Sequence, residues 1–231
     1  MCEGCATMSI LYVDPEHDVV VNDPVQGPYH RGAVRSAQAR IASVAGSACD
    51  VAPAVSVTPP EIEARSPLAI VIGGSSTDWA TYDFSTLSGL FAVIRAASVP
   101  ILGICGGHQL IGYVHGAGWG PLGRLDPDEV DPDPQFAPGQ RKESGFRSVG
   151  IDTSSALFRG LRPEPEFFQA HYWQLTDIPP GFSARAHSPW CPIQAIERSD
   201  RPVFGVQFHP ERFDATHPDG EQVLRNFFAA I

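Results

Sequence analysis

Cys105 stands in Gly103-Ile104-Cys105-Gly106-Gly107, between an apolar run and a segment of helical periodicity. A thiol in that position meets a helix N-terminus, where the positive end of the dipole and unsatisfied N–H groups favour thiolate. Small neighbours also permit the sharp turn of a nucleophile elbow, which lifts the side chain into the open. A buried structural cysteine would read the same way, because free thiols pack as small hydrophobes.

A second stretch, Gly205-Val206-Gln207-Phe208-His209-Pro210-Glu211, takes an apolar strand to a histidine and, two residues on, a carboxylate. A thiol nucleophile needs a base of near-neutral pKa, and the base needs a partner that holds its ring. Pro210 fixes its own φ and restricts His209, which helps to aim both side chains. A third stretch, Gly73-Gly74, closes the apolar run 68–72. Glycine lets backbone approach a ligand and turn an N–H toward a developing oxyanion. Taken singly, a histidine at a strand end or a glycine turn is as readily structural.

The elements that must position these groups follow from periodicity. Apolar runs at 10–13, 68–72 and 101–104 read as buried strands, the first ending at Asp14-Pro15. Residues 51–57 form a weaker strand, placed at a sheet edge by Pro53. Helices are expected at 31–45, with Val34, Ala37, Ile41 and Val44 in one stripe, at 85–97, from Cys105 to His115, and at 221–230. Strands at 146–151, 193–197 and 203–208 complete the pattern. Alternating strands and helices predict a doubly wound three-layer α/β sandwich with a mostly parallel central sheet, whose sites lie at the carboxyl ends of the strands. A single domain over 9–231 is expected, preceded by a disordered tail at 1–8.

Residues 119–140 differ in kind, being crowded with Pro, Gly and the acids Asp126, Asp128, Asp131 and Asp133. They predict a long surface loop, either a lid or docking element or a solvated insertion.

Composition narrows the function classes. Sixteen basic against 26 acidic residues give a formal charge of −10, which supplies no cationic surface for a nucleic acid. No run of about 18 apolar residues and no basic-then-apolar leader occurs, so no membrane span is expected and the location should be cytoplasmic. Five scattered cysteines fit a reducing compartment. Cys2 and Cys5 have C-x-x-C spacing but no second pair or nearby His, so no metal site is expected.

Together the three stretches resemble the class I glutamine amidotransferase family, through VIGGS at 71–75, PILGICGGHQ at 100–109 and GVQFHPE at 205–211. Their order and separations match the family, and the resemblance runs from about residue 9 onward. It extends to the glutaminase part of GMP synthases and to γ-glutamyl peptidases. It implies that Cys105 attacks the side-chain amide of L-glutamine, that His209 shuttles the proton, and that Glu211 orients His209. The N–H groups of Gly74 and Gly106 are implied as the oxyanion hole. Gln109, one helical turn past Cys105, is implied as a substrate contact, as are Glu143, Gly145, Phe146 and His171. His108 is expected to pack.

No cofactor is implied. Glutamine or another γ-glutamyl compound would be the substrate, and a separate synthetase would take the ammonia, since the chain carries no P-loop. The alternative is a γ-glutamyl hydrolase or peptidase, toward which Glu143-Ser144-Gly145-Phe146 leans. A non-catalytic regulatory subunit is a third reading, against which the intact Cys105, His209 and Glu211 stand.

Overall fold

In the computed structural model, which describes residues 9–230, the apolar runs become strands of one large sheet. The expected tail at 1–8, with Cys2 and Cys5, lies outside the described residues. The first half of the chain runs β1 (Ile10–Asp14), α1 (Asp18–Val21), α2 (Gln26–Ala45), β2 (Cys49–Pro53), α3 (Pro59–Arg65), β3 (Ala69–Ile72), α4 (Ser88–Ala96), β4 (Ile101–Ile104) and α5 (Gly106–Val114). The second half runs β5 (Trp119–Pro121), β6 (Glu143–Ser148), β7 (Gly150–Ile151), β8 (Glu166–His171), β9 (Trp173–Leu175), β10 (Phe182–His187), β11 (Ala195–Arg198), β12 (Val203–Val206) and α6 (Asp219–Ala229).

The large sheet has the order β2-β1-β3-β4-β12-β11-β10-β7. The first five strands are parallel and the last three join antiparallel, so the sheet is mostly parallel as expected. Side chains alternate across it: Leu11, Val13, Ile70 and Ile72 enter one core with Leu90, Ile94 and Leu110 of α4 and α5. Ile10, Tyr12, Ala69 and Val71 enter the other with Ile41 of α2 and Phe227 of α6. Apolar residues on both faces of these strands are what two covering helix layers require. β2 sits at the edge and stops at Pro53, where the missing N–H ends the ladder.

Two expectations are corrected. The strand expected at 146–151 is two strands in different sheets, β6 pairing with β8 and β7 with β10. Val149 between them is fully buried and donates its N–H to Pro165 O at 3.0 Å, which anchors the crossing. The segment 119–140 is also not structureless: β5 pairs antiparallel with β9, and Arg124 bridges Gln140.

Candidate active site

β4 delivers Cys105 at φ 51° and ψ −103°, a left-handed conformation that costs a non-glycine residue roughly 1–3 kcal/mol. Neighbouring structure fixes it: the Cys105 N–H donates to Val206 O at 2.8 Å and its carbonyl accepts from Gln109 N–H at 3.1 Å. Glycine is required on both sides. A Cβ on Gly103 would lie 2.5 Å from the Gly107 carbonyl carbon, and one on Gly107 would lie 2.3 Å from Ile72 O. The elbow therefore exists because α5 starts in contact with β3 and β4.

β12 leads into His209, whose N–H donates to Phe168 O at 2.8 Å. The turn Pro210–Arg212 then brings Glu211 back, so that Nδ1 of His209 donates to Glu211 Oε1 at 2.7 Å. Arg40 of α2 secures that turn by donating to Glu211 O at 2.7 Å. Burial works to lower the His209 pKa, but the carboxylate of Glu211 and the negative charge of Cys105 outweigh it and push the ring up to about 10. His209 and Cys105 flank Gly74, where an added Cβ would stand 3.1 Å from His209 Cε1 and 3.4 Å from Cys105 Cβ.

The N–H groups of Gly74 and Gly106 have no acceptor among the described residues, which leaves both available to a ligand oxygen. A Cβ on Gly106 would lie 2.9 Å from Ser75 N, so the two backbone segments touch. Glu16, in the loop after β1, holds the Gly74 segment in place. It accepts from Ser76 N and Oγ and from Thr77 Oγ1, each at 2.7 Å, and from Ser75 Oγ at 3.1 Å.

Cys105, His209, Glu211, Gly74 and Glu16 line one cavity of about 810 Å³, closed by Tyr29, His30 and Arg40 of α2 on one side and by Asp133 and Phe136 on another. Of the further expected substrate contacts, none of Gln109, Glu143, Gly145, Phe146 and His171 lines this cavity, although Ser144 and Ala170 beside them do. Gln109 is buried with its amide bonded to Trp79, Trp173 and Gln207. Glu143 is neither solvated nor at the cavity: it pairs with His171 Nε2 at 3.0 Å and accepts from Gln194. Gly145 has a φ of +75°, where a side chain would be strained. Phe146 stacks on His217 at 3.7 Å. His108 packs on Gly205, and burial pushes its imidazole down to about 3.

Glu16 and Arg40, which line the cavity, were missed as site residues. Glu16 carried a signal, a carboxylate just past the carboxyl end of a buried strand, whereas Arg40 required knowing where α2 lies.

Residues 33–231 match the family model for glutamine amidotransferase class-I. The chain belongs to the class-I glutamine amidotransferase family. It is 32% identical over 170 residues to the glutamine-hydrolysing GMP synthase subunit of Thermococcus kodakarensis, covering 72% of this chain and 77% of that protein. It is 36% identical over 130 residues to the corresponding GMP synthase subunit of Pyrococcus abyssi, covering 56% of this chain but only 59% of that protein. Among solved structures, a Thermoplasma acidophilum protein superposes with a TM-score of 0.71 at 22% identity, over 96% of this chain and 93% of that one. A glutamine amidotransferase of Thermotoga maritima superposes with a TM-score of 0.61 at 15% identity, over 96% of each chain. Both likenesses are of fold.

Proposed function

We propose that the chain hydrolyses the side-chain amide of L-glutamine through a thioester on Cys105 and passes the ammonia to a separate synthetase. The observation that carries this is the meeting of Cys105 and the 2.7 Å His209–Glu211 pair at one cavity. The thiolate attacks the amide carbon, and the N–H groups of Gly74 and Gly106 receive the charge that develops on oxygen, an interaction made only in the transition state. The C–N bond then breaks as imidazolium of His209 gives its proton to the departing amine, leaving ammonia and a thioester. Neutral His209 takes a proton from water, the resulting hydroxide displaces sulfur, and glutamate leaves with thiolate and imidazolium restored. Glu211 holds the ring through Nδ1 and favours its charged form.

The names of the relatives point to a GMP-forming synthetase as the ammonia acceptor. Among the described residues no helix is long and apolar enough to cross a membrane, and we place the enzyme in the cytoplasm with its partner. Ammonia and glutamate formed in equal amounts from L-glutamine test the reading.

One observation favours a second reading. The cavity, at about 810 Å³, falls in the range of pockets that hold drug-sized ligands, roughly 300–1,000 Å³. That is more room than one amino acid needs and suits a γ-glutamyl conjugate. Faster release of an amine from γ-glutamyl anilides or peptides than of ammonia from glutamine would favour the hydrolase.

A further inference from the structure

Behind Cys105, and outside the cavity lining, three buried side chains form a line that ends at the sulfur. Trp79 Nε1 donates to Gln109 Oε1 at 2.7 Å. Gln109 Nε2 donates to Trp173 O at 3.0 Å and to Gln207 Oε1 at 3.0 Å. Gln207 Nε2 lies 3.6 Å from Cys105 Sγ, Ala170 O lies 4.0 Å from the same sulfur, and His209 bonds to it from the cavity side.

The direction of every bond in this line is forced. The two ends of a primary amide have the same shape, so its orientation has to come from its partners. An indole N–H can only donate, which makes the Gln109 atom facing Trp79 an oxygen. A backbone carbonyl can only accept, which makes the Gln109 atom facing Trp173 a nitrogen. These two constraints are independent and agree. The second proton of that nitrogen then selects oxygen on Gln207, and the remaining end of Gln207, its NH2 group, faces Cys105. The polarity at the sulfur is thus set by an indole and a backbone carbonyl two side chains away.

We infer that Gln207 is a further catalytic residue, donating from Nε2 to the Cys105 thiolate, and that Gln109 and Trp79 are positioning residues that keep its donor end toward the sulfur. The inference rests on Cys105 being the nucleophile. A donor directed at a thiolate stabilises it relative to the thiol, and a buried donor does so with little competition from water. The same bond eases departure of sulfur when the thioester breaks, since charge returns to it then. Gln109 on this account acts on Cys105 through Gln207.

The test is alkylation of Cys105 by iodoacetamide as a function of pH, followed on the Cys105 peptide by mass spectrometry and read without glutamine. Gln207→Leu should raise the midpoint by about one pH unit, the size expected for one hydrogen bond to a charged group. Gln207→Glu should raise it further, because an acceptor replaces the donor. Trp79→Phe, which keeps an aromatic ring but removes one of the two constraints on the Gln109 amide, should raise it by a smaller amount and guards against a Gln207 variant that fails to fold. Midpoints equal to wild type in the folded variants would overturn the inference. An unmoved midpoint in chains that still hydrolyse glutamine overturns it alone. Midpoints that move as stated in a chain that releases no ammonia support it and overturn the glutaminase reading instead.

Discussion

Nζ of Lys142 lies 2.8 Å from Oδ1 of Asp131, with the lysine side chain fully buried. The same ammonium donates to the carbonyls of Asp133, Phe136 and Ala137, so it staples the acidic segment from within. Since Asp133 and Phe136 line the cavity, the staple sets one wall of the site. Arg141 pairs with Asp126 and Glu129 in the same segment. Two cations of the chain, Arg141 and Lys142, thus offset two of the three charges on Asp126, Glu129 and Asp131, and the segment offers a partner less charge than its composition suggests.

Lys142→Met should release this wall while leaving the large sheet folded. Limited proteolysis should cut within 126–140 in the variant and not in wild type, and the KM for glutamine should rise severalfold with a smaller change in kcat. An uncut segment with an unchanged KM would show that the wall stands without the staple.

The coupling of His209 to Glu211 predicts a pH dependence. The folded-state pKa of His209 is raised to about 10 from an ordinary value of about 6.5. Its charge therefore stabilises the fold fully below about 6.5, and this contribution is lost as pH rises toward about 10. In Glu211→Gln the carboxylate's share disappears and the folded-state pKa falls, so the loss should be smaller and complete at lower pH. Thermal unfolding of wild type and variant across that window should diverge most near neutral pH and converge above about 10. In the same variant the alkaline limb of kcat/KM should move to lower pH, and His209→Ala should lower turnover more than Glu211→Gln.

Glu16 should matter to rate more than to binding. Burial works to raise its pKa, but bonds from Thr77, Ser76 and His17 outweigh it and hold the carboxylate below its usual range. The brace on the Gly74 segment is thus intact at neutral pH, and its contribution to stability is lost only as pH falls through that lowered value. Loss of an oxyanion donor costs about 10²–10³ in kcat, and a loosened one costs less. Glu16→Ala should lower kcat about tenfold with little change in KM, and Glu16→Gln, which keeps an acceptor, should recover part of it. Equal kcat in all three proteins would mean that Gly74 holds its position unaided.

The central sheet was legible because its parallel strands are buried on both faces, and Ile10, Ile70 and Ile101 lie in unbroken apolar runs. The elbow was legible for the same reason that it exists, since Gly103 and Gly107 mark backbone contacts too close for a Cβ. β8 and β10 were not read. Their pleats mix aromatic, polar and charged residues, as in Glu166–His171, and only the partner strand shows which face is buried. α3 was missed although Thr58 caps it and proline occupies its first turn, a start signal easily taken for a loop. Glu143 was the least legible of the residues expected at the site. Its burial depends on His171 standing opposite it in the β6–β8 register, a relation fixed by tertiary pairing.

A cavity wall also bears on substrate choice. Tyr29, His30 and Arg40 of α2 border the space beyond Cys105, and a γ-glutamyl conjugate would place its leaving group there. Tyr29→Ala should alter KM for γ-glutamyl peptides and leave KM for glutamine nearly unchanged. Parallel changes for both substrates, measured by steady-state kinetics, would show that this wall is shared and does not select.

The most direct test is ammonia released from L-glutamine by wild type and by Cys105→Ser, with Cys49→Ser and Cys191→Ser as controls. Alkoxide is far scarcer than thiolate at neutral pH, and Cys49 is buried with its thiol pushed up to about 11. Wild type and both controls should release ammonia and glutamate in equal amounts, and a quenched wild-type reaction should carry a glutamyl thioester on the Cys105 peptide. Cys105→Ser should release none above background. Turnover by Cys105→Ser at a rate near wild type, or a thioester on any other cysteine, would contradict the account.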